Sequence, residues 1–132
     1  MPASDDLRDR VRARLREQRA LVQELLRRRE QLQGSLFARY GRCGKEGCRC
    51  AEGRGHGPYY VLSTRSAGRG AFTYLDDGQA ARAKELVRRQ REWKAGLRRL
   101  RRLNLDLVVL LRRYQDALAR RTRKRLTPSV TQ

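Results

Sequence analysis

The sequence predicts a mainly α protein: two long helices folded back as an antiparallel coiled-coil hairpin, with a small zinc-loop and β-hairpin insert at its tip. Three observations predict it. Apolar residues recur in steps of four and three over both ends of the chain, ten of the eleven glycines fall between Gly34 and Gly78, and all three cysteines and the single histidine lie inside that glycine-rich stretch.

The first helix opens after Met1-Pro2-Ala3, with Ser4 as N-cap and Asp5 and Asp6 in the first turn, and meets no Gly or Pro before Gly34. Val11, Leu15, Val22, Leu25, Leu32 and Leu36 form its seam, with Gln18 and Arg29 in two of the seam sites. Residues 1–36 are therefore assigned to an N-terminal coiled-coil helix. Residues 37–78 form the insert. There Pro58-Tyr59-Tyr60-Val61-Leu62-Ser63-Thr64 and Ala71-Phe72-Thr73-Tyr74-Leu75 read as two strands about a Ser66-Ala67-Gly68-Arg69-Gly70 turn. Asp76 and Asp77 then start a second helix, residues 79–122, before a basic flexible tail, residues 123–132.

The second helix has an unbroken heptad through Leu86, Gln90, Trp93, Leu97, Leu100, Asn104, Leu107, Leu111, Tyr114 and Leu118. Trp93, Leu97, Leu100, Asn104, Leu107 and Leu111 are read as an oligomer seam. An Asn at such a site sets register through an amide partner, either its mate in a second copy or Gln18 of the same chain. Leu103, Leu105, Val108, Val109 and Leu110 make the helix apolar all round at this point, more than one partner helix covers, so a homodimer or larger bundle is expected.

Cys43, Cys48, Cys50 and His56 give C-x4-C-x-C-x5-H, four donors of the kind a tetrahedral Cys3His zinc site requires, set among glycines that let the chain turn. Arg42, Lys45 and Arg49 offset the negative charge left by three thiolates on a dication. Unliganded cysteines and an iron–sulfur cluster are the other readings. The Glu that a nucleobase deaminase needs two residues after its His is absent. With four protein ligands the metal is structural, and no paired carboxylates, phosphate-cradling loop or open metal position suggest an enzyme or a small-molecule substrate.

The net charge is +19, from 33 basic against 14 acidic residues, and 29 of the basic residues are Arg, the side chain suited to phosphate. The charge is graded: +3 over residues 1–33, +3 over 34–79 and +13 over 80–132. Arg88, Arg91, Arg98, Arg99, Arg102, Arg112 and Arg113 flank the apolar seam as a basic stripe. Arg54, Arg65 and Arg69 accompany Tyr59 and Tyr60 on the hairpin, where an exposed Tyr suits stacking. The expected function is non-enzymatic nucleic-acid binding, DNA favoured over RNA. The alternative is a structural or adaptor coiled coil binding an acidic protein partner or RNA. No secretory signal or membrane span is visible, which predicts a cytoplasmic, nucleoid-associated protein.

The run Cys43-Gly44-Lys45-Glu46-Gly47-Cys48-Arg49-Cys50, followed by Gly53-Arg54-Gly55-His56-Gly57-Pro58-Tyr59-Tyr60, resembles an uncharacterised family of small bacterial and archaeal proteins that carry CGKxGCxC and GHGPYYYLS. The resemblance implies a metal-binding module followed by a long leucine-rich helix, with a link to mobile elements. Val61 stands where that family often has a third Tyr.

Overall fold

The computed structural model describes residues 3–53, 55–66 and 68–127. The element order is α1 (Ser4–Leu25), β1 (Ser35–Gly41), a short 3-10 turn (Arg49–Glu52), β2 (His56–Ser66), β3 (Arg69–Leu75) and α2 (Asp77–Leu126). The strands form one antiparallel sheet in the order β1-β2-β3. The chain divides into two compact units, one of residues 1–27 with 94–132, the other of residues 28–93.

The two-helix coiled-coil hairpin is not the architecture, although the chain is mostly helical. α1 stops at Leu25, and Leu36, placed on its seam by periodicity, lies in β1. Helix propensity does not explain the stop, since Leu26 to Gln33 are good helix formers. Tertiary contacts explain it. The Leu32 N–H donates to the Leu86 carbonyl, and Glu30 pairs with Arg82 at 2.6 Å, so this stretch runs as a docked connector. Gly34 then passes so close to β2 that a Cβ there would lie 2.7 Å from the Ser63 carbonyl oxygen. The β-forming run Leu36-Phe37-Ala38-Arg39-Tyr40 follows and pairs with β2 from Ser35↔Ser63 to Gly41↔His56.

At its start α1 has Ala3 in the cap position, and no side chain caps it, so Ser4 does not act as N-cap; Asp5 and Asp6 do occupy the first turn. α2 has the stronger start. Gln79 N–H donates to Asp76 Oδ1 at 2.7 Å, and Asp76 N–H donates to Gln79 Oε1 at 3.0 Å, a reciprocal capping box.

The expected single heptad seam of α2 is replaced by two stripes. In the second unit Ala80, Ala83 and Val87 are buried; in the first, Leu103 and Leu107, with Leu7 of α1. Asn104 bonds Gln18 Nε2 through its Oδ1 at 2.6 Å, the intrachain option for its amide, and Leu21 and Leu25 of α1 lie against Gly96. Leu97, Leu111 and Leu118 stay exposed, because α1 covers only one side of this helix.

Val61 and Leu62, consecutive in β2, are both buried, so the central strand is covered on both faces. The face with Leu36, Ala38 and Tyr60 borders a groove of about 450 Å³ towards Lys84, Val87, Arg88 and Arg91 of α2. The other face carries Phe37, Arg39, Tyr59, Phe72 and Tyr74. No helix among the described residues is long and apolar enough to cross a membrane.

Candidate metal centre

The cysteine loop is the connection of the β1–β2 hairpin. The ladder closes at Gly41↔His56, which brings the two ends of a fourteen-residue loop, 42–55, into register and fixes His56 beside the start of the loop. Gly55, at φ +94, is pressed against the Gly41 carbonyl, where any side chain would collide with backbone. Within the loop the Cys48 N–H donates to the Lys45 carbonyl and the Ala51 N–H to the Cys48 carbonyl, folding Cys48 and Cys50 back towards Cys43.

The donor atoms of Cys43, Cys48, Cys50 and His56 all lie within 4.8 Å of one another. The Cys43 and Cys50 sulfurs are 3.4 Å apart, and Cys48 Sγ is 3.2 Å from His56 Nε2. A tetrahedral ion with metal–sulfur bonds of ~2.3 Å has edges of ~3.8 Å, so the cluster suits an ion of that size after a slight expansion. Three thiols and an imidazole are a soft donor set that disfavours magnesium and calcium. Cys50 is buried, Cys48 is half-buried, and Cys43 and His56 are exposed. The cluster therefore has an inner wall and an outer rim.

The sulfurs are prepared unequally. The Lys45 backbone N–H, then hydrogen bonds from Cys50, Cys48 and His56, pull the Cys43 thiol from 9.0 down to about 6. At Cys50 the Cys43 amide, bonded at 3.3 Å, pulls the pKa down, but burial and the neighbouring Cys43 and Cys48 sulfurs outweigh it and push the thiol up. One thiolate thus stands beside a thiol that only a cation would strip of its proton.

The signs are opposite in the metal-free fold. Cys43 adds stability above pH 9 that fades as pH falls to about 6, whereas Cys50 adds stability below 9 that is lost as pH rises through its raised value. Metal binding needs both deprotonated. Affinity is therefore expected to rise with pH and retention to fall steeply below about pH 6, measured as release to a chromogenic chelator between pH 5 and 8.

The other site residues read from the sequence fall into distinct places. Tyr59 and Tyr60 alternate across the sheet, Tyr59 exposed and Tyr60 half-buried at the groove. Arg65 and Arg69 are exposed at the β2–β3 turn, and Arg54 lies outside the described residues. On α2, Arg88 is held by Glu85 at 2.5 Å and Glu92 at 2.6 Å, which holds the Glu85 carboxyl below its usual range and raises Arg88. Arg91, Arg98, Arg99, Arg102, Arg112 and Arg113 are exposed and make no ion pair among the described residues. Exposed Leu105, Val108 and Val109 divide the basic stripe in two. Of the seam residues, Leu107 is buried, Leu100 is half-buried, and Trp93, Leu97, Asn104 and Leu111 are exposed.

Phe37 and Arg39 were not singled out by sequence reasoning, because the first helix was carried to residue 36 and no strand was assigned between it and the cysteine loop. The signal available was the β-branched-poor but aromatic run between Gly34 and Gly41.

No curated protein and no solved structure matches the chain. The family described as "Domain of unknown function (DUF6788)" matches residues 6–85, a span that holds α1 from its third residue, all three strands and the four candidate ligands, and the chain belongs to that family.

Proposed function

We propose that the protein is a zinc-stabilised, non-enzymatic nucleic-acid-binding protein, with DNA favoured over RNA, that engages phosphates through α2. The observation that carries this reading is the set of exposed arginines at Arg98, Arg99, Arg102, Arg112 and Arg113, which make no ion pair among the described residues. By contrast the carboxylates of α1 answer nearby cations, in Asp6–Arg10, Asp9–Arg12 and Glu17–Arg14 within the helix and Glu24–Arg27 just past its end. A solvated face normally mixes its signs as α1 does. Over the C-terminal half of α2 only Asp106 and Asp116 stand against these arginines, and so Arg-rich a surface is stabilised by a polyanion, which loses condensed counterions on binding.

The test is a salt series with zinc-loaded protein and a random duplex. Affinity is expected to fall by roughly 10³ or more between 50 and 200 mM salt if six or more phosphates are neutralised. A flat or absent response would replace this reading with an adaptor that binds an acidic protein.

The same reading includes a homodimer. Leu97 and Leu111, 41 % and 50 % exposed, lie one heptad either side of Asn104, whose amide is taken by Gln18, and leave apolar surface beside α1 that a second copy of the chain would cover. The double substitution Leu97→Glu with Leu111→Glu is expected to halve the mass seen by light scattering while leaving helix content unchanged. A wild-type chain that is monomeric at high concentration would end the dimer reading.

A further inference from the structure

The β2 strand carries small residues, Val61 and Ser63, on the face turned away from the Leu36–Tyr60 groove. The flanking strands carry large ones there, Phe37 and Arg39 on β1 and Phe72 and Tyr74 on β3. Phe37 and Phe72 close over the middle strand edge to face, centroids 6.3 Å apart, and Arg39 Nη1 reaches across to donate to Tyr74 Oη at 3.0 Å. Beneath this arch Val61 is 1 % exposed, yet Phe72 is 70 % and Tyr74 59 % exposed, with Tyr59 and Phe37 also open. Phe72 and Tyr74 thus keep most of their surface in solvent, on a scaffold that fixes their spacing.

We propose that this sheet face is a stacking platform for unpaired bases of a single-stranded nucleic acid, with Arg39 and Arg65 contacting its backbone. The proposal rests on the nucleic-acid reading above and assigns a second, base-directed surface to it. Every base offers a π-face, and aromatic rings held on a sheet stack on it without regard to sequence. Phe72 and Tyr74 are two positions apart on one face, about 6.8 Å at strand rise, which leaves room for a separate base on each.

Charge selects this occupant over a second copy. The face carries Arg39 and Arg65 and no carboxylate, so two such faces in contact would oppose arginines, whereas a phosphate backbone complements them. A duplex fits less well, because its base faces are already stacked on one another.

The experiment uses full-length, metal-loaded protein and three labelled probes followed by anisotropy: an oligothymidine, an abasic deoxyribose-phosphate strand of equal length and a duplex. Oligothymidine is expected to bind at least tenfold more tightly than the abasic strand. Phe72→Ala is expected to lose between about fivefold and a hundredfold for oligothymidine and nothing for the abasic strand, with Phe72→Trp restoring the difference. Phe72 is exposed enough for its truncation to leave the fold in place, which a circular dichroism spectrum verifies. Equal, salt-dependent binding of oligothymidine and abasic strand would overturn the platform while leaving the phosphate reading standing. Absence of binding to all three probes would overturn both. Assembly of the chain that Phe72→Ala abolishes, without any preference for bases, would reassign the face to a second copy.

Discussion

Stripping the metal, or replacing Cys48 with Ser, is expected to unfold residues 28–93 and not merely to loosen a loop. The buried apolar residues of that unit among the described positions are Val61, Leu62, Cys50, Ala80, Ala83 and Val87, of which two are alanines. So small a core gives little margin, and chains of this kind use a staple. A structural zinc site releases roughly 10–16 kcal/mol on binding, comparable to or greater than the ~5–15 kcal/mol that a whole domain is stable by. The site also closes the β1–β2 hairpin at Gly41↔His56, so its loss removes the register of the strand that completes the sheet. The expected observation is one zinc per chain in purified protein, with amide protection in β1 and β2 lost on chelation and recovered on adding zinc back. α1, which belongs to the other unit, is expected to keep its helical signal. Cys50→Ser is expected to be more damaging than Cys43→Ser, because Cys50 is buried and accepts the Cys43 N–H, while Cys43 sits at the rim. Unchanged unfolding in the presence of chelator would remove the structural role of the metal.

The metal cluster was legible in the sequence because its evidence is local: four donors within fourteen residues, spaced by glycines. The β2–β3 hairpin was legible for the same reason, with strands observed at His56–Ser66 and Arg69–Leu75 around the expected turn. The start of α2 was legible from Asp76 and Asp77, although the reciprocal bond from Gln79 was not. The residues that misled were Leu32 and Leu36. They satisfy a helical period, but Leu32 is captured by the Leu86 carbonyl and Leu36 pairs opposite Leu62, contacts 54 and 26 residues distant in the chain. Long-range pairing overrode local propensity, and a period alone does not report it. The heptad of α2 misled in a related way. A seam read at 3.5 residues per turn presumes one partner along its length, whereas this helix serves two units with two stripes, leaving Leu97 and Leu111 outside both.

Replacing Arg98, Arg99, Arg102, Arg112 and Arg113 together with Gln is expected to flatten the salt dependence of duplex binding, whereas Arg88→Gln is expected to leave it nearly unchanged. The difference follows from pairing. Arg88 spends its donors on Glu85 and Glu92, so reaching a phosphate would strand two carboxylates beside a polyanion. The other five pair with no carboxylate among the described residues. Each phosphate contact contributes about 0.9 to the slope of log K against log salt, so five contacts account for a slope change of about 4.5 and, relative to 1 M salt, a loss of nearly four orders of magnitude at about 0.15 M. Gln keeps the helix, being close to Arg in helix propensity, so the loss reads charge and not folding. Exposed Leu105 and Val109 separate the arginines at 98–102 from those at 112–113 by about 15 Å of helix. If the two clusters hold separate stretches of backbone, neutralising either alone should remove its own share of the slope and leave the other's intact. Equal slopes for Arg88→Gln and Arg102→Gln would mean that net charge, and not these positions, carries the binding. A slope lost wholly with one cluster would confine the contact to that half of the helix.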